Sequence, residues 1–342
     1  MQALQTLRSQ FSLVLTDFAE SSSRFRILHT IPPSQPPSSQ ALRTVFVLDS
    51  SFNPPSRAHM SLVKTALTAK HLQTSSTSNS HSHSTPRASA DADADVSAEP
   101  TPRVLFLLAT VNADKKPKPA DFEDRLVMMV LMAEQLRAAF GDAAGSTSNT
   151  NTDPAAGNTR APVVDIGITK EPYFIDKASC IDQSNVYRPE EDGSFVEQIH
   201  LTGFDTLIRI FTPKYYPNHT PPLSALAPFL SRHRLRATVR VETDSPSPNL
   251  KDAQGEPGSE FDTVEGQVAY VDRIARGDME AQGLKREWAT KVELVIDDSG
   301  EAQGVSSTRV RDAARAARFD EVEMLVGKRV TEWIKQRGLY RD

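Results

Sequence analysis

Ser50-Ser51-Phe52-Asn53-Pro54-Pro55-Ser56-Arg57-Ala58-His59 gathers hydroxyls, an amide and an imidazole in a short polar run. An apolar segment, Val45-Phe46-Val47-Leu48, precedes it, and a segment with helical spacing, Met60–Leu72, follows. A strand that ends in a tight polar turn and enters a helix leaves free backbone N–H groups and the positive end of a helix dipole facing one point. That is a phosphate site, and a histidine at the helix start adds a side-chain donor to it. A matching piece lies far downstream. Val292-Glu293-Leu294-Val295-Ile296 reads as a strand, and Val305-Ser306-Ser307-Thr308-Arg309-Val310-Arg311 opens a helix. Serine and threonine there cap unpaired N–H groups. Arg311 follows Ser307 by four residues and so stands about one turn in, near the same end. Two such cradles in one chain suggest a nucleotide held between them.

The elements that must position these cradles alternate along the chain. Strands are predicted at Thr44–Leu48, Arg103–Ala109, Val163–Thr169, Gln198–Thr202, Ala237–Val241 and Val292–Ile296. Helices are predicted at Met60–Leu72, Asp121–Phe140, Phe204–Phe211, Leu223–Arg232 and Asp262–Arg276, with two or three short ones over Thr308–Leu339. This alternation predicts an α/β fold, Rossmann-like, with a parallel sheet covered by helices on both faces. Such sheets bind ligands at the carboxyl ends of strands, where strand order reverses, and each candidate motif follows a strand. Residues 1–20 have the apolar spacing of a helix, and residues 31–40 read as a proline- and serine-rich linker. The expected division is therefore an N-terminal helix and linker over 1–40 and one catalytic-type domain over 41–342. Three low-complexity stretches, near 74–102, 141–162 and 242–258, cannot bury enough apolar surface to offset their ordering entropy and are expected to be disordered insertions.

A net charge of −5 gives no general nucleic-acid footprint. No apolar run has the length of a membrane helix. The first segment carries Asp17 and Glu20 and lacks the apolar core of a signal peptide. The single cysteine, Cys180, excludes an intrachain disulfide and fits a reducing compartment, with cytoplasm and nucleus both compatible.

The two end motifs together resemble the nucleotidyltransferase superfamily. Its first motif runs roughly Gly-x-Phe-x-Pro-x-His/Thr-x-x-His and its second Ile-Ser-Ser-Thr-x-x-Arg. The branch most similar is the nicotinamide mononucleotide adenylyltransferases, in a divergent fungal form. Leu108–Lys116 looks like the loop after that branch's second strand, Pro172–Ala178 like a later loop-helix segment, and Leu201–Leu207 like its Gly-Ala-Asp strand end. The resemblance covers roughly residues 41–342. It implies adenylyl transfer from ATP to nicotinamide mononucleotide, with Mg²⁺ carried on the triphosphate. It implies catalytic roles for His59 and Arg311, and phosphate contacts for Ser51, Phe52, Asn53, Ser56, Lys116, Ser306, Ser307 and Thr308. Gly203 and Asp205 would line a ribose or mononucleotide pocket, and no residue is assigned to a metal. The chain departs from the pattern in two places. Asp49-Ser50-Ser51 stands where the family usually has glycine, and serine narrows the room for a nucleotide. The tryptophan segment that stacks the nicotinamide ring is not found, so Tyr173 or Phe174 is expected to supply the ring, with Trp288 and Trp333 in the core.

Each feature also has a plainer reading. His59 can be a cap, Ser306–Thr308 an ordinary helix start, Lys115 and Lys116 a solvated loop, and Gly203 structural punctuation. Arg125 and Met129 are assigned to packing, and His71, His81 and His83 to a polar linker. Three functions stay open: an NAD-forming adenylyltransferase, a related transferase or nucleotide hydrolase with another acceptor, and a non-catalytic nucleotide binder acting through partners.

Overall fold

The computed structural model describes residues 2–32, 42–68, 101–111, 120–144, 161–187, 195–239, 260–297 and 299–341. Nearly all of the three low-complexity stretches, Lys115, Lys116 and the three linker histidines lie outside these residues.

Seven strands form one sheet, β1 (Phe25–Ile31), β2 (Thr44–Asp49), β3 (Arg103–Ala109), β4 (Val163–Thr169), β5 (Glu197–Gly203), β6 (Arg234–Val239) and β7 (Val292–Ile296), in the order β1-β4-β3-β2-β5-β6-β7. All neighbours are parallel except β1, which runs antiparallel to β4 at one edge. The helices are α1 (Gln2–Glu20), α2 (Arg57–Thr68), α3 (Phe122–Ala144), α4 (Phe174–Gln183), α5 (Phe204–Ile210), α6 (Ala227–Leu230), α7 (Val264–Arg276), α8 (Ser307–Arg315), α9 (Phe319–Val326) and α10 (Lys328–Arg337). The predicted α/β architecture with helices on both faces is the one observed.

The central strands are nearly continuous apolar runs because both their faces are buried. Phe46, Leu48, Val104 and Phe106 pack beneath α2, α3 and the C-terminal helices, with Met60, Val63, Leu126 and Trp333. Val45, Val47, Leu105 and Leu107 point the other way, toward Cys180 and Ile181 of α4. Leu235 and Ala237 share that second face with Leu207 and Ile274. The Val, Leu, Ile, Phe and Met side chains among these each contribute about 1.5–3 kcal/mol by leaving water. Asp124, buried in the first turn of α3, holds Arg8 of α1 at 3.2 Å and Arg337 of α10 at 3.1 Å. One carboxylate thus ties the first and last helices to the same layer.

Several elements differ from expectation, among them α4, which stands outside the predicted helices. β1 was not predicted, because a short edge strand before a proline carries little periodicity of its own. β6 begins earlier than expected, at Arg234. Its arginines are admitted to the sheet by cross-strand carboxylates: Arg234 forks onto Glu197 at 2.9 and 2.6 Å, and Arg236 pairs with Glu293. The helix predicted over Leu223–Arg232 is instead a 3-10 turn, Pro222–Leu226, running into the four-residue α6. Pro222 and Pro228 remove N–H donors that a longer α-helix would need.

Candidate active site

The chain leaves β2 to build β3 and β4 on one side, then returns to build β5, β6 and β7 on the other. Strand order therefore reverses between β2 and β5. Their ladder stops at Val47 and His200. β2 stays paired to β3 as far as Asp49, and β5 to β6 as far as Gly203. The two strands are not paired with each other over their last residues, so their carboxyl ends mark the switch-point crevice at which open α/β sheets bind ligands.

The first motif lines this crevice. After Asp49 the chain makes a turn in which Phe52 takes a left-handed backbone, φ 44°, and the Asn53–Pro54 peptide is cis. A bulky residue at positive φ costs on the order of 1–3 kcal/mol. Phe52 is held there by full burial, its ring 5.7 Å from that of Phe106 and 5.3 Å from that of His59. Phe52 thus shapes the loop from inside, and Ser51 stands exposed on it. Ser56, also buried, presents its backbone N–H at 3.1 Å and its hydroxyl at 2.9 Å to His59 Nδ1. The Ser50 hydroxyl meets Nε2 at 2.8 Å. Burial pushes the His59 imidazole down to about 4, so the ring is neutral at pH 7.

The second motif arrives on the same loop. Ser306 caps α8 by accepting the Arg309 N–H at 3.1 Å. The Ser307 hydroxyl donates to the Pro54 carbonyl at 2.9 Å, and Arg311 Nη1 donates to the Asn53 carbonyl at 2.8 Å. Thr308 Oγ1 accepts from Arg311 Nη2 at 3.0 Å. These contacts join residues 253 and 258 positions apart in sequence. The N-terminus of α8 and the His59 turn are therefore one structure. Arg309 turns away, to Glu321 at 2.8 Å and the Gly304 carbonyl at 3.0 Å.

Across the crevice, Gly203 caps α5 with extended backbone, and a Cβ there would meet nothing within 4 Å. Asp205 follows, half-exposed, in the first turn of α5. The structure thus brings His59, Ser51, Phe52, Asn53, Ser56, Ser306, Ser307, Thr308 and Arg311 together on one side, with Gly203 and Asp205 at the end of β5. Lys116 lies outside the described residues. Phe174, one of the two expected stacking rings, is half-buried, and its ring packs edge-on at 4.8 Å against both His200 and Phe229. Tyr173 is 44% exposed. Trp288 and Trp333 are both buried, as expected.

Sequence reasoning missed three neighbours. Arg125 is 2% exposed, and Nε donates to the Ala120 carbonyl at 2.9 Å. Burial pushes its guanidinium down, and the charge of Arg311 acts in the same direction. An arginine directly before the apolar run Leu126–Ala133 was the available signal. Tyr340 donates its hydroxyl to Asn53 Oδ1 at 2.9 Å, and burial pushes the phenol up so that it keeps its proton. Lys177 of α4 meets Asp49 at 2.6 Å at the carboxyl end of β2. Neither of these last two contacts has any local sequence signal. Among the described residues no group of three or more His, Cys, Asp or Glu is placed to hold a metal ion. No described helix is long and apolar enough to cross a membrane. Cys180 is buried with its thiol pushed up by burial, the condition of an unreactive sulfur.

The end of β2 thus carries a histidine turn joined to a serine-capped, arginine-bearing helix. No protein-family model matches the chain. It is 26% identical over 332 residues, 97% of its own length and 97% of the other's, to a protein of Schizosaccharomyces pombe named "Putative nicotinamide mononucleotide adenylyltransferase". The chain is thus similar, end to end, to a fungal protein of the kind its motifs resemble.

Proposed function

We propose that this protein joins nicotinamide mononucleotide to the adenylyl group of ATP, giving NAD and pyrophosphate. The observation that carries the reading is the junction of the two motifs through Ser307 with Pro54 and Arg311 with Asn53. It sets a helix N-terminus, an arginine and a histidine turn around one opening. The acceptor phosphate would attack the α-phosphorus in line as pyrophosphate departs. Such a reaction needs placement and charge stabilisation, with no covalent enzyme intermediate. His59, neutral, is a donor; Arg311 keeps guanidinium N–H groups beyond those it spends on Asn53 and Thr308. Ser51, Asn53, Ser56, Ser306, Ser307 and Thr308 form the hydroxyl and amide rim for the phosphates, Lys116 is assigned to the same phosphates, and Gly203 with Asp205 faces a ribose.

The donors here are cations, hydroxyls and N–H groups, and the Asp49 carboxylate at the end of β2 is held by Lys177. That set fits Mg²⁺ arriving on the triphosphate oxygens rather than on protein ligands. Bound there, the ion would neutralise charge on the leaving group. The chain would act in the cytoplasm or nucleus.

A second reading, the same transfer to a different phosphorylated acceptor, is favoured by the crevice wall. Phe174 packs edge-on against His200, and a Lys177–Asp49 ion pair stands at the end of β2. Purified protein given ATP and Mg²⁺, with and without nicotinamide mononucleotide, separates the two. NAD formed only with both substrates supports the first. Pyrophosphate released only with another acceptor supports the second. Neither product would leave both readings wrong.

A further inference from the structure

Ser50 occupies the position at which the resembled motif carries glycine. A glycine has nothing to offer the histidine; here the Ser50 hydroxyl lies 2.8 Å from His59 Nε2. The other ring nitrogen fixes the direction of that bond. His59 Nδ1 lies 3.1 Å from the backbone N–H of Ser56, a group that can only donate. Nδ1 is therefore the acceptor nitrogen, the neutral ring carries its hydrogen on Nε2, and Nε2–H donates to Ser50 Oγ. Adding a proton at Nδ1 would set one N–H against another, so the ring holds this tautomer. Ser50 Oγ has then received a hydrogen bond and retains its own O–H to give. Its main-chain N–H is tied to the Leu107 carbonyl of β3 at 3.2 Å, so the hydroxyl is carried by the strand end rather than by the loop. It stands half-buried at the mouth of the crevice.

We propose that Ser50 is a catalytic residue. Its O–H, aligned and polarised by His59 Nε2–H, donates to a non-bridging oxygen of the α-phosphate, so that the imidazole acts through the serine. This rests on the adenylyl-transfer reading above. In the transfer, an oxygen of the acceptor phosphate gives an electron pair to the α-phosphorus. The bond from that phosphorus to the bridging oxygen breaks, and its electron pair leaves on pyrophosphate. Ser50 and His59 form and break no covalent bond. As charge grows on the non-bridging oxygens the Ser50 hydrogen bond strengthens, and the polarisation passes back to the ring, since chained hydrogen bonds reinforce one another. The serine thereby fills space that glycine leaves open and returns a donor to it.

The test compares Ser50→Gly, Ser50→Ala and Ser50→Thr in the full chain. Turnover in the glycine and alanine variants is expected to fall about tenfold or more, with KM for ATP within about threefold of the unaltered chain. The threonine variant, which keeps a hydroxyl, is expected to stay within about threefold in turnover. Nitrogen-15 NMR of the His59 ring gives a readout independent of activity. The Nε2–H resonance should shift and exchange faster with water in the alanine variant and stay in place in the threonine variant. Full turnover in Ser50→Gly, or an unmoved ring resonance in Ser50→Ala, overturns the relay while leaving adenylyl transfer intact. An unaltered chain that releases no pyrophosphate from ATP with any acceptor overturns the transfer reading, and the relay with it.

Discussion

Arginines meet two different fates in this molecule. At the amino end of β3, Arg103 forks onto Asp165 at 2.7 and 3.0 Å, and the same carboxylate also accepts from Thr30 at 2.7 Å and Tyr187 at 2.8 Å. Asp165 is fully buried, and its charge is met entirely by the protein. At the crevice, Arg311 and Arg125 are hydrogen-bonded chiefly to carbonyls, of Asn53 and Ala120. A carbonyl holds a guanidinium in place without cancelling its charge. The first arrangement is complete as it stands and serves the fold. The second holds each guanidinium by a neutral oxygen, and the triphosphate of the proposed reaction is what would complete it.

The comparison breaks most sharply at its two centres. His59→Ala should lower turnover about a hundredfold or more, as expected for loss of a charge-stabilising donor, with the melting midpoint little changed. Retained turnover would remove His59 from the chemistry. Asp165→Ala should do the reverse. Leaving Arg103 and Tyr187 without their partner should cost about 3–5 kcal/mol in urea titration, while ATP affinity of the folded protein stays as it was. A loss of affinity without loss of stability would show that the two regions are not separate.

Arg311→Lys keeps the charge and loses the fork onto Asn53 and Thr308. A loss of about tenfold in kcat/KM for ATP is expected; equality with the unaltered chain would mean that Arg311 acts as a point charge only. Tyr340→Phe removes the hydrogen bond to Asn53 Oδ1 and should cost about 1 kcal/mol of stability. Combined with Asn53→Ala its effect should vanish, and additive losses would argue that Tyr340 does not act through Asn53.

The smallest effect is on pH dependence. His59 protonates near 6.5 in the unfolded chain and only at about 4 in the folded one. Folding therefore excludes a proton. This group's contribution is fully favourable above 6.5 and is lost as pH falls from there through about 4. His59→Gln should flatten the stability profile across that window. An unchanged slope between pH 7 and pH 5 would mean that the ring titrates normally in the folded protein.

Much of this could be read from the chain and some could not, for identifiable reasons. The limits of β3 and β4 follow from their apolar runs, because strands buried on both faces advertise themselves in every residue. β1 pairs antiparallel at an edge and does not. Ser306, Ser307 and Arg311 were legible because capping and helical spacing are local. Arg125 read as packing because the helix around it is core. Tyr340 and Lys177 were invisible, since their partners Asn53 and Asp49 lie 287 and 128 residues away. Phe174 read as a candidate for ligand stacking, and the packing of its ring on His200 and Phe229 was not legible because it joins segments remote in the chain.

By itself the sequence determined the class of fold, the two polar turns and the kind of ligand they suit, because propensity, capping and burial period act over a few residues. Only the tertiary structure decided that Ser307 and Arg311 rest on Pro54 and Asn53, that His59 faces Ser50 with Nε2, and that β2 and β5 part after Val47 and His200. Those are distances between segments remote in the chain, and they exist only once the sheet has fixed which strand ends are neighbours.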